Sequence, residues 1–130
     1  MNDSNDSAWH VADAWVMAAI AIANQPCSLR DLVAAADGIN HAIVMDAEVE
    51  HAVRNLVAAG LVTVSDDTQF ALTSAGAALA SKRRGGLVTQ VDSLLKLLLK
   101  CPIAEPTNWH LPDGALAAAA SEYVRRAATR

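Results

Sequence analysis

Apolar positions recur with the period of helices along most of the chain, and the period changes once, just after Gly60. Ser7 is placed to cap a first helix from Ala8 to about Asn24, which Pro26 ends because the residue before a proline is pushed out of the helical region. Its stretch Ala14 to Ala23 is apolar all round, so this helix is expected at the centre, covered on several sides. Ser28-Leu29-Arg30-Asp31 has the form of a capping box and opens a second helix with Leu29, Leu32, Val33 and Ala36 on one face. Gly38 is a stop or a bend, and Ile39 to Met45 reads either as an extension of that helix or as a long turn. Asp46 is the expected N-cap of a third helix, with Val49, Ala52, Val53 and Leu56 inward and Gly60 ending it. Leu61 to Ser65 and Gln69 to Leu72 then read as short strands around Asp66-Asp67-Thr68, a β-hairpin.

Thr73 or Ser74 starts a fourth helix to about Arg84, stopped by Gly85-Gly86. A fifth is predicted from Leu87 to Lys100, packed on the rest through Val88, Val91, Leu94, Leu95 and Leu98, with Thr89, Asp92, Lys96 and Lys100 as a polar stripe. Pro102, Pro106 and Pro112 bound a connection to a last helix from about Asp113 to Ala128, carrying Leu116, Ala120, Tyr123 and Ala127 on one side.

The chain has 130 residues, 53% of them apolar and 4% aromatic, which excludes a disordered tail and favours a core of close-packed helices. Net charge is −4, so a uniformly basic nucleic-acid binder is excluded, but the charge is uneven. Residues 1–81 hold Arg30 and Arg54 against ten acids, a balance of −8; residues 82–130 hold eight basic residues against four acids, a balance of +4. The longest apolar stretch is about half what a bilayer-crossing helix needs. Met1 to Ser7 lacks the character of a secretory signal, so a cytoplasmic location is expected. Cys27 and Cys101 match no CxxC pattern and are expected as two reduced thiols.

Helix, helix, helix, hairpin, helix is the order of a winged helix-turn-helix module, and the local sequence resembles that superfamily from Ser28 to Leu79. Ser28 to Ala36 resembles the second helix of such modules. Val49-Glu-His-Ala-Val-Arg-Asn-Leu-Val-Ala-Ala-Gly-Leu-Val62 resembles the third helix running into the wing, and Phe70-Ala-Leu-Thr-Ser-Ala-Gly76 the exit from it, as in bacterial regulators of the multiple-antibiotic-resistance and phenolic-acid repressor types. The resemblance implies a mainly α winged helix-turn-helix fold with a two-stranded β-wing and additional C-terminal helices. Residues 1–7 would be a flexible N-terminus, 8–86 the winged-helix domain, and 87–130 a helical extension of the same compact unit that serves for dimerisation.

In DNA-binding members the third helix lies in the major groove. Here its expected outward residues are Asp46, Ala47, Glu50, His51, Arg54 and Asn55, with Glu48 at the flank. The candidate DNA contacts are therefore His51, Arg54 and Asn55 on bases, and Lys82, Arg83 and Arg84 on the backbone of double-stranded DNA. Three acids against one arginine, and the acidic hairpin tip, oppose a polyanion, and make a protein-interaction module that leaves DNA alone the competing reading. Acids at a helix start and bases at a helix end also follow from the helix dipole alone.

Asp37 with His41, and Glu48 with His51, are the only metal-like pairs drawn from the spacing, too few ligands for a site, so no metal and no cofactor is expected. Gly-x-Ser-x-Gly, phosphate-loop, HExxH and dinucleotide motifs are all missing, so no enzyme is expected. Apolar residues beyond what one face needs point to a homodimer through Leu95, Leu97, Leu98, Leu99, Leu116, Tyr123 and Val124, with C2 closure. The opposing expectation is that the last helix simply covers the first.

Overall fold

A computed structural model describes residues 8–105 and 107–128. Six helices and one two-stranded sheet lie among the described residues: α1 Val11–Ile22, α2 Leu29–Asn40, α3 Asp46–Ala58, β1 Val62–Val64, β2 Phe70–Leu72, α4 Ser74–Ala80, α5 Thr89–Leu98 and α6 Ala115–Ala128. The fold is thus mainly helical with a small antiparallel sheet.

α1 is the central helix because its sequence leaves it no polar side. Ala14 to Ile20 are all buried, and α2, α3, α4, α5 and β2 pack around them. Trp15 enters this core without leaving its indole N–H unpaired: Nε1 donates to the Ala36 carbonyl at 2.9 Å, joining α1 to α2. α1 is shorter than its sequence suggests. It begins at Val11, where Asp13 accepts from the His10 N–H at 2.9 Å, and the expected cap Ser7 lies outside the described residues.

The capping box at Ser28 forms as expected, with Asp31 N–H donating to Ser28 Oγ at 3.1 Å and Ser28 N–H donating back to Asp31 at 3.3 Å. The helix it starts runs through Gly38 to Asn40 and ends where His41 takes φ 54°, leaving a short extended link to α3. Asp46 is the first residue of α3 and not its cap. Met45 holds the cap position without a side-chain cap bond, and its N–H donates to Glu48 at 2.8 Å, so the first turn is tied by the N3 carboxylate reaching back and not by an N-cap carboxylate.

Gly60 at φ 76° turns the chain out of α3, a conformation that costs glycine nothing. β1 and β2 then pair with Val62 opposite Leu72 and Val64 opposite Phe70. Each strand is three residues, shorter than the sequence suggests, and Phe70 also bridges Cys27 in the link before α2. Thr73 caps α4 through Gly76 N–H, and Gly76 lies so close to the Leu61 carbonyl that a Cβ would overlap it. α4 stops at Ala80, short of Arg84, because Ser81 and Lys82 turn to bond back.

α5 lies on α1 through Val91, Leu94 and Leu98. α6 lies on α2, not on α1, with Leu116 buried and Tyr123 Oη donating to Asp37 at 2.6 Å. The cover for the first helix's apolar run therefore comes from α2, α3 and α5. Val88, expected inside, sits at the N-cap, ahead of the first turn of α5, and is 52% exposed. No described helix is long and apolar enough to cross a membrane.

Candidate functional site

The face of α3 expected to meet solvent is largely taken up by the chain itself. Asp13, with no exposed surface, sits on α1 opposite it, a charged residue at the head of an otherwise apolar buried helix. Its carboxylate also lies 2.7 Å from His51 Nδ1 and accepts from Asn55 Nδ2 at 3.2 Å, while Asn55 donates to the Ala8 carbonyl at 3.2 Å as well. A buried carboxylate needs such donors, since the desolvation cost is otherwise uncompensated. The His10 ring stacks on His51 with centroids 4.0 Å apart and planes 7° from parallel. His51 is therefore half-buried and Asn55, expected outward, is only 1% exposed.

One turn away, the connection before α6 lies along the same helix. Arg54 Nε donates to the Trp109 carbonyl at 2.7 Å and its terminal nitrogen donates to His110 Nδ1 at 2.7 Å. Glu50 accepts from the Leu111 N–H at 2.9 Å and stands 3.6 Å from Arg54. Leu111 is buried, and Trp109 meets Phe70 edge to face with centroids 6.1 Å apart, so the strap is packed as well as hydrogen-bonded. Its beginning is tied too, by Trp9 Nε1 donating to the Cys101 carbonyl at 3.1 Å. Nothing periodic in residues 101–112 announces this, although the two tryptophans at Trp9 and Trp109 are a compositional signal in a chain so poor in aromatics.

The second candidate cluster is divided. Arg83 is half-buried and employed inside the fold, donating to Gln90 Oε1 at 2.9 Å and to the Ala80 carbonyl at 2.7 Å. Lys82 and Arg84 are exposed, with the Arg84 backbone donating to Ser93 Oγ at 2.9 Å. The hairpin tip carries Asp66 and Asp67, both exposed.

The candidate dimer residues separate in the same way. Leu98 and Leu116 are buried in the core of their own chain, Leu95 and Leu97 are half-buried against it, and Tyr123 is bonded to Asp37. Only Leu99 and Val124 are mainly exposed. Among the described residues no group of three or more His, Cys, Asp or Glu side chains is arranged to hold a metal ion. Asp37, drawn earlier with His41, is occupied by Tyr123.

Cys27 and Cys101 are both free thiols. Burial, with a smaller contribution from the Asp31 charge, pushes the Cys27 thiol up to about 11, so it is a packed side chain and not a nucleophile. Asp31 moves the other way: burial works against its charge, but hydrogen bonds from Ser28 and the neighbouring Arg30 outweigh that and hold the carboxyl below its ordinary range. Arg30 also reaches Glu122 on α6 at 3.2 Å, closing α6 onto α2.

No protein-family model, curated protein or solved structure matches the chain.

Proposed function

We propose that this protein is a winged-helix module that works through protein contacts and does not read DNA. The order α1, α2, α3, hairpin, α4 supports the winged-helix reading, together with the capping box at Ser28, the glycine exit at Gly60 and the Thr73 cap. The observation that carries the functional half is the strap from Trp109 to Leu111 laid along α3 and bonded to Glu50 and Arg54.

The energetics favour leaving that face closed. To meet a base edge, Arg54 must give up a carbonyl and an imidazole acceptor, charge-assisted bonds of roughly 1.5–3 kcal/mol each. A good bidentate base contact returns only about 1–3 kcal/mol. Asn55 is further back still, held against Asp13 and Ala8 inside the fold. The exposed charge left on α3 and the hairpin tip includes Asp46, Asp66 and Asp67, with Glu48 half-buried beside them, and these acids repel a phosphate backbone.

Titration of a labelled mixed-sequence duplex at about 50 and 200 mM salt tests the reading. No saturable binding is expected at either. Saturable binding that falls with salt and is abolished by Arg54→Ala with Lys82→Ala would establish the regulator-like alternative, with His51, Arg54, Asn55 and the Lys82 to Arg84 cluster on DNA.

A further inference from the structure

The solvent face of α5 carries a self-complementary pattern. Val88, Asp92, Lys96 and Leu99 follow at intervals of four, four and three residues, which at about 100° per residue gathers them within roughly 80° of the helix circumference. All four are exposed, Val88 at 52% and Leu99 at 61%, while the face centred about 130° round the helix, Val91, Leu94 and Leu98, is buried on α1. Among the described residues neither Asp92 nor Lys96 has an ion-pair partner within 4.0 Å.

We infer that α5 is the docking surface for a second copy of this chain, antiparallel across a two-fold axis near Ser93 and Leu94. This rests on the proposed role in protein contacts and names the partner. Read forwards, the stripe is apolar, acid, base, apolar; read backwards, it is apolar, base, acid, apolar. An antiparallel copy therefore sets Val88 against Leu99 of the second copy and Asp92 against Lys96 of the second copy, twice over. A parallel copy would oppose carboxylate to carboxylate and ammonium to ammonium, which is destabilising. The isologous arrangement closes on itself and leaves no free end to build a filament.

The ends of the stripe fit the same occupant. At the Val88 end is a cavity of about 230 Å³ lined by Val11, Trp15, Val88 and Val91 with the carboxylates of Glu48 and Asp92, and by no basic side chain. At the other end Leu99 stands exposed between Lys96 and Lys100. A leucine flanked by two ammonium groups matches an apolar hollow flanked by two carboxylates, and the two-fold axis brings both such pairs together at once. Charge complementarity of this kind favours the second copy over an acidic partner or a nucleic acid, both of which the hollow repels.

A face of one short helix puts the dimer at the weak end of protein interfaces, so sedimentation of the full chain should span roughly 1 to 300 µM. A reversible dimer is expected in that range, and Leu99→Asp should weaken it at least about 30-fold, because it replaces the leucine that enters the hollow with a carboxylate facing Glu48 and Asp92. Asp92→Lys alone and Lys96→Glu alone each set like charges across the axis and should leave monomers, with far-UV circular dichroism unchanged. Mixing those two variants places a cation opposite an anion at both crossings, so the mixture should dimerise again as a heterodimer. A chain that stays monomeric throughout overturns the inference, as does a dimer indifferent to Leu99→Asp or a mixture that fails to re-associate. Each of these is independent of the duplex titration, which judges the DNA question separately.

Discussion

Asp13→Ala isolates the knot that joins α1 to α3. The side chain is fully buried and accepts from the His10 N–H, from His51 Nδ1 at 2.7 Å and from Asn55 Nδ2 at 3.2 Å. Losing the bond to His10 removes the first-turn support of α1, worth about 1 kcal/mol. The other two bonds involve an ionised acceptor, roughly 1.5–3 kcal/mol each, but they are not lost in full. Half-buried His51 regains water, and Asn55 keeps the Ala8 carbonyl for one of its hydrogens. The net cost works out near 3 kcal/mol, a large part of the ~5–15 kcal/mol that holds a domain of this kind together. Urea unfolding followed by tryptophan fluorescence should show the midpoint falling at unchanged slope, and the thermal midpoint should drop by about 10 °C. Asp13→Asn, which keeps the shape and one acceptor oxygen, should cost about half as much. A cycle combining Asp13→Ala with His51→Ala should return a coupling above ~1 kcal/mol. A loss below ~1 kcal/mol for Asp13→Ala, or no coupling, would refute the argument that this buried carboxylate is held by its donors.

Further expectations follow from burial and backbone geometry. Gly38→Ala should stabilise the protein by about 0.5–1 kcal/mol, because the position is an exposed interior turn of α2 with open space around it. Gly76→Ala should cost about 1–3 kcal/mol or more, because the added methyl meets the Leu61 backbone; chemical denaturation of the pair decides both signs. With the Cys27 thiol raised from 9.0 to about 11, the unfolded chain releases this proton first, so stability falls as pH rises from 9 to 11. Near neutral pH a disulfide reagent should modify half-buried Cys101 in the native protein and reach Cys27 only on unfolding; two equally fast thiols would contradict its burial.

Local signals in this chain were enough for the local structure. The Ser28 capping box, the Gly60 exit and the hairpin after it each depend on residues within a turn or two, and each forms; of the apolar stretch Ala14 to Ala23, Ala14 to Ile20 is buried all round while Ile22 is 47% exposed. The mainly helical class with one small antiparallel sheet was legible for the same reason. Ends were less so: α1, α4 and α5 are shorter than their periodic stretches, because backbone bonding at the termini is decided by which neighbour supplies the last partner. What only tertiary structure decided is which faces stay open. Periodicity divides α3 into an apolar side and a polar side and equates polar with solvent. The polar side instead meets Asp13 from α1 and a strap from 55 to 61 positions further along the chain, so His51, Asn55, Glu50 and Arg54 are bonded within the fold. The last helix packs on α2, while α2, α3 and α5 cover the central helix. A connection without periodicity leaves no mark of where it will lie, since its position is set by hydrogen bonds and packing to residues far away in sequence. The face of α5 is the converse case: its charges and apolar ends are plain in the sequence, and only the packing of Val91, Leu94 and Leu98 on α1 leaves them turned to solvent.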